Sequence, residues 1–184
     1  EKLAQADVPD EIRGLIQVSS LTALVKPNKK VRGVAAGDTF RRLVAKSLAR
    51  QFQDALRSAT MPHHFGLSDR SGVDSAIHLL RYLTEEHPSN VIVSIDGIGA
   101  FDPICRARIF EELLARPELH ELIPFVHLWY GDTTKFRRVD SEGDAHAIEQ
   151  GDGGEQGDAL MPALFCLGLH PANQELRREL PPGT

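Results

Sequence analysis

No apolar run in the 184 residues approaches the ~18 consecutive residues that a transmembrane helix needs. The opening Glu-Lys-Leu-Ala-Gln carries no apolar segment of a secretory leader, so membrane-spanning and secreted classes are set aside. It also lacks Met, and the chain is expected to be cut from something longer. Only two cysteines occur, Cys105 and Cys166, both in apolar helical contexts. They read as buried free thiols in a reducing, intracellular compartment rather than a disulfide framework. The glycine-rich stretch 151–157 is not followed by Gly-Lys-Ser/Thr, which excludes a phosphate loop of that kind. His63 and His64 have no partners at metal-ligand spacing and read as surface loop residues. There is no internal repeat, no low-complexity tract and no Asp-Asp dipeptide anywhere.

What is present suits a soluble domain with a real core: 41% apolar and 26% charged residues. The net charge of -5 argues against a dedicated nucleic-acid binder. Its distribution is more informative than its sum. Residues 26–50 hold eight basic side chains and one acidic, whereas residues 139–158 hold seven acidic ones and no Lys or Arg. A basic surface toward the N-terminal half and an acidic one toward the C-terminal half are expected.

Residues 18–25 and 30–34 read as two strands joined by a Lys-Pro-Asn-Lys turn. Asp38 or Thr39 caps a helix running to about residue 58, with an apolar stripe of Phe40, Leu43, Val44, Leu48, Phe52 and Leu56. Arg42, Lys46, Arg50 and Arg57 fall on its opposite side. Residues 61–67 are irregular. Ser71 and Asp74 have capping-box spacing before a helix with Val73, Ile77, Leu80 and Leu83 on one face, ending before Pro88. Residues 91–96 predict a buried central strand with Val91, Val93 and Ile95 on one side. Asp102 and Pro103 suit the N-cap and first turn of a helix to about residue 115. A hairpin is expected across residues 141–144, then an apolar helix over 159–169, then a disordered tail over 181–184. This order is not a βαβ alternation, so the fold class is α+β rather than a doubly wound sheet.

Three stretches carry chemistry. The strand ending at Asp96 delivers a carboxylate followed by Gly97 and Gly99, where backbone and substrate can approach closely, and then Phe101. Carboxylate oxygens are the protein ligands that magnesium prefers. A Gln156-Gly157-Asp158 segment leads from a flexible loop into an apolar helix. Cations at 26–32 and 41–46 can meet a triphosphate or a template backbone. By themselves Asp96 reads as a turn-capping residue, Phe101 as a core aromatic and the basic helix face as a solvated one.

Together these stretches resemble reverse transcriptases of non-LTR-retrotransposon type. The strand ending in Asp96 resembles their motif A, with an aromatic five residues on. Gln156-Gly157-Asp158 with Leu160 and Pro162 is similar to motif B. Residues 64–78 are similar to the stretch before motif A, and residues 30–34 to a fingers motif, with Gly33 where Pro is common. The matches run in family order from about residue 21 to 172.

The resemblance implies fingers and a partial palm of a right-hand polymerase, with a central antiparallel sheet packed on helices. The corresponding parts are a lead-in (1–20), a fingers-like region (21–90), a partial palm with motifs A and B (91–172) and a tail (173–184). It implies Asp96 as catalytic metal ligand beside the carbonyl of Gly97, with Mg2+ as cofactor. Phe101 becomes the gate against a ribose 2'-hydroxyl, Gln156 and Gly157 neighbours of nucleotide and template, and Lys26 and Arg32 contacts to the triphosphate. Arg42, Lys46 and Arg50 are candidates for contact with the RNA or DNA template-primer.

The family's motif C, an aromatic-X-Asp-Asp turn, has no counterpart here, so this chain alone is expected not to polymerise nucleotides. A domesticated, non-catalytic module that binds RNA or protein within a larger assembly is the alternative.

Overall fold

In the computed structural model, residues 1–67, 70–97 and 99–181 are described. A short helix α1 (Asp10–Ile16) precedes a hairpin of β1 (Val18–Val25) and β2 (Val31–Ala36). The hairpin closes through the Lys26 amide, which donates to the Lys30 carbonyl at 2.8 Å, and through Asn28 Oδ1, which accepts from the Lys30 amide at 3.1 Å. A second hairpin, β3 (Thr134–Val139) and β4 (Ala145–Gln150), turns at Gly143 with φ of 94°. Both hairpins lie where the turn chemistry put them, each a residue or two longer. They join into one sheet of order β2-β1-β3-β4. The expected antiparallel sheet is mixed, because β1 and β3 run parallel over Val18 to Ser20.

The expected long helix is two. α2 (Thr39–Gln51) is capped by Asp38, whose carboxylate accepts from the Phe40 amide at 2.7 Å. It breaks at Phe52 before α3 (Gln53–Thr60). Its buried side is Arg41, Ala45 and Leu48, while Phe40 and Leu43 face solvent. The stripe is therefore rotated from the expected one by an arginine taken into the interior.

The core forms where α3, α5 (Arg106–Leu114), a 3-10 turn (Pro117–Leu122), α6 (Ile123–Tyr130) and α7 (Met161–Glu179) meet. Leu113, Leu119, Leu122, Phe125, Leu164 and Leu167 are its most enclosed side chains. α7 outruns the expected helix by some ten residues and carries Pro171 within it. α5 begins at Arg106, not at Asp102. Its first amide is capped by Asp152 Oδ1 at 2.7 Å, which releases Asp102 from that role.

Two expectations fail in the middle of the chain. Ser71 sits at φ 56° and makes no capping bond, and α4 (Gly72–Glu86) buries only Gly72, leaving Val73, Ile77, Leu80 and Leu83 exposed. Residues 91–97 form no strand and are exposed, Val91 at 85% and Ile95 at 84%. β-branched side chains favour a strand by at most ~1 kcal/mol, and only where neighbouring strands supply a ladder and a packing face. No described strand of this chain pairs with 91–97. Cys105 is exposed rather than buried, and Cys166 is partly buried. Ser68 and Asp69, within the stretch before Asp96, lie outside the described residues, as do Ile98 and residues 182–184 of the tail.

Candidate functional site

The β1–β2 hairpin, the loop after residue 95 and the approach to α7 enclose a cleft of about 720 Å³. Its wall brings together Lys26 and Arg32 from the hairpin, Asp96, Gly97 and Phe101 from the central loop, and Gln156 from the segment before α7. Asp102 lines it as well. The volume falls in the range of small-molecule pockets, and the wall is cationic on one side and anionic on the other.

Each part is positioned by its neighbours. Gly99, at φ 72°, adopts a left-handed turn that few other residues tolerate, and it keeps the Asp102 carboxylate close to the loop. Phe101 is half-buried, edge-on to Phe165 of α7 at 5.5 Å, so it is both a core aromatic and a wall of the cleft. The amide of Gly154 donates to the Phe101 carbonyl and that of Gly153 to the Ile104 carbonyl, both at 2.9 Å, tying the two loops together. Gly157 rests on β2, where a β-carbon would collide with the carbonyl oxygen of Ala35.

Behind this wall lies a polar network that takes in Asp158 of the Gln-Gly-Asp segment and Arg41, which is buried rather than presented to a triphosphate or template as expected for the basic stretch 41–46. Arg41 is 2% exposed. Its Nη1 donates to Glu155 Oε1 at 2.8 Å, and its Nη2 to Asp158 Oδ2 at 3.1 Å. Ser19 Oγ donates to Glu155 Oε2 at 2.9 Å, and Tyr130 Oη to Asp158 Oδ2 at 2.7 Å. The guanidinium stacks 4.4 Å from the centre of the Trp129 ring. Burial alone would pull the Arg41 cation down, but Tyr130, Glu155 and Asp158 outweigh it and hold the pKa above its ordinary value. Burial, with Asp158 next to it, pushes the Tyr130 hydroxyl well up, so it stays protonated and donating. Asp158 Oδ1 also accepts from the Leu160 amide at 2.9 Å, at the threshold of α7. The signal in the sequence was faint: Arg41 shares the helical spacing of Ala45 and Leu48, and two acids flank Gln156 and Gly157.

Arg42, Lys46 and Arg50 are exposed along α2, outside the cleft. His63 and His64 are half-buried against α7 rather than free on the surface. Among the described residues, no group of three or more His, Cys, Asp or Glu could hold a metal ion. No described helix is long and apolar enough to cross a membrane.

No protein-family model matches this chain. The chain is similar to the Retrotransposable element SLACS 132 kDa protein of Trypanosoma brucei gambiense, with 25% identity over 179 residues. The similarity covers 97% of this chain but spans only 15% of the length of that relative. It is a distant likeness to a retroelement protein.

Proposed function

We propose that this chain supplies the fingers and the nucleotide-facing part of the palm of a retroelement-derived reverse-transcriptase-like polymerase, and that its cleft takes a nucleoside triphosphate with magnesium. One observation carries this reading: residues from three separated stretches of sequence converge on one cleft of about 720 Å³ with cations opposite carboxylates. The distant likeness to a retroelement protein supports it.

The chemistry of the donors fits the metal. Magnesium takes oxygen ligands and is commonly held by one or two carboxylates together with substrate phosphates. Asp96, the Gly97 carbonyl and the neighbouring Asp102 offer oxygen only. A bound magnesium would neutralise phosphate charge. The chain's own residues do the rest. Lys26 and Arg32 draw the triphosphate in, Arg32 with a fork that matches phosphate oxygens. Phe101 closes the side where a ribose 2'-hydroxyl would sit, and Gln156 with Gly157 borders the base. Polymerisation needs two magnesium ions beside the reacting oxygens, and motif C has no counterpart in this sequence. The chain alone is therefore expected to bind nucleotide without extending a primer.

A second reading, a non-catalytic module in a larger assembly, is favoured by the exposed apolar side chains of α4 and residues 91–97. Titration of a fluorescent nucleoside triphosphate, with and without magnesium, separates the two. Arg32→Ala should weaken binding about tenfold, the scale of one lost charge-assisted contact. Asp96→Asn should remove the dependence on magnesium. Affinity that neither substitution changes would discard the cleft as a nucleotide site and leave the second reading standing.

A further inference from the structure

We propose that Arg41 is a positioning residue for the cleft, fixing Gln156 and Gly157 from behind by holding the acidic side chains on either side of them. The inference rests on the reading of the cleft given above, although the clamp itself can be tested without it.

Arg41 does not line the cleft. It reaches the back of the wall because Gly37 leaves room: a β-carbon there would lie 3.0 Å from Arg41 Cδ. One arm of the guanidinium holds Glu155 and the other holds Asp158. Both flanking side chains are thus drawn inward and buried. The two residues between them are left at the surface, Gln156 half-exposed in the cleft and Gly157 exposed against Ala35. Ser19 takes the second oxygen of Glu155, while Tyr130 shares Asp158 Oδ2 with Arg41 and the Leu160 amide takes Oδ1, so neither carboxylate is free to swing.

The shape of the cation matters. A guanidinium offers separate donors to two carboxylates at once, in a fixed plane that Trp129 also holds, whereas an ammonium is a single point of charge. Such a network is a poor way to gain stability alone, since buried ion clusters often do no better than well-packed apolar side chains of the same volume. What it supplies is orientation, at a segment that joins β2, the Phe101 loop and α7.

The test uses the full chain in two arms. The first follows amide hydrogen exchange in Arg41→Lys and Tyr130→Phe. Exchange over residues 155–158 should rise about tenfold or more, while the central amides of α7 keep their protection. The second measures affinity for a fluorescent nucleoside triphosphate with magnesium in a cycle of Arg41→Lys and Gln156→Ala. Arg41→Lys should weaken binding about tenfold, and Gln156→Ala should cost less than about twofold more in that background, because its orientation is already lost. Additive losses, or unchanged exchange over 155–158, would overturn the proposal. Should Arg41→Lys also strip protection from α7, Tyr130→Phe decides, because it retains the cation. Should the native chain bind no nucleotide, the reading of the cleft fails and the exchange arm alone judges the clamp.

Discussion

Three histidines meet where residues 61–67 fold back on α7: the rings of His63 and His170 lie 5.5 Å apart, and His64 Nε2 faces Asn173 Nδ2 at 3.4 Å. The charges of Arg116 and Glu112, in the α5 region, also act on His170, Arg116 against its protonation and Glu112 in favour of it. Burial lowers the pKa of His64, with His170 and His63 adding to the effect. Burial lowers that of His170 as well, with Arg116 and His63 adding. Both are therefore neutral in the fold where an unfolded histidine, titrating near 6.5, takes up a proton. The unfolded chain binds more protons as pH falls below about 6.5, so stability is complete above that value and declines below it. The thermal midpoint should fall between pH 7.5 and pH 5.5, and His170→Gln should flatten that fall. An equal slope in the variant would remove His170 from the effect. In the sequence His63 and His64 read as surface loop residues because nothing local reveals that α7 extends far enough to bring His170 and Asn173 to them. Arg41 was hidden for a related reason. In Phe-Arg-Arg-Leu it looks like one more cation of a basic face, and only Glu155 and Asp158, far along the chain, make its burial tolerable.

At the level of elements, α2 presents Arg42, Lys46 and Arg50 one turn apart on its exposed side. Four-residue spacing keeps them on one face, and exposed cations in a row suit a phosphate backbone. Replacing all three with Ala should weaken binding of single-stranded RNA and lower its salt slope by about two units, since each lost phosphate contact removes roughly 0.7. Fluorescence anisotropy between 50 and 200 mM salt reads this directly, and an unchanged slope would exclude the face. The elements legible in the sequence were those set by local chemistry. The hairpins were marked by their turns, and α2 by its Asp38 cap. α6 was not, because Ile-Pro-Phe-Val-His-Leu-Trp-Tyr is apolar all round and has no helical stripe to detect. Residues 91–96 read as a strand from their β-branched side chains and form none, because a strand exists only with a partner to pair with. Of the residues the family resemblance singled out, Lys26, Arg32, Asp96, Gly97, Phe101 and Gln156 line one cleft, and Gly157 is not among its lining residues. Spacing by itself would have left Asp96 a turn residue and Phe101 a core aromatic.

For the molecule as a whole, surface area is the telling quantity. The chain exposes 12472 Å² at 20.3 kDa, against roughly 8800 Å² for a compact monomer of that mass. Part of the excess is apolar and contiguous in sequence: Val73, Ile77, Leu80 and Tyr82 on α4, then Val91, Val93 and Ile95 beyond it. Monomeric proteins rarely leave apolar patches larger than a few hundred Å² in water, and an unpaired backbone of β-prone residues is a template for pairing with another chain. The helical core, by contrast, is closed, with Leu113, Leu119, Leu122, Leu164 and Leu167 fully enclosed. A folded body with one uncovered segment should associate rather than unfold. Sedimentation of the purified chain should therefore show species larger than a monomer at micromolar concentration. Replacing Val91, Val93 and Ile95 with Asp should shift it toward monomer, and because these side chains touch little of the core, the thermal midpoint should move by no more than a few degrees. A dilute native chain that sediments as a monomer with a cooperative transition would show that this surface is tolerated in water, and that α4 and residues 91–97 need no cover.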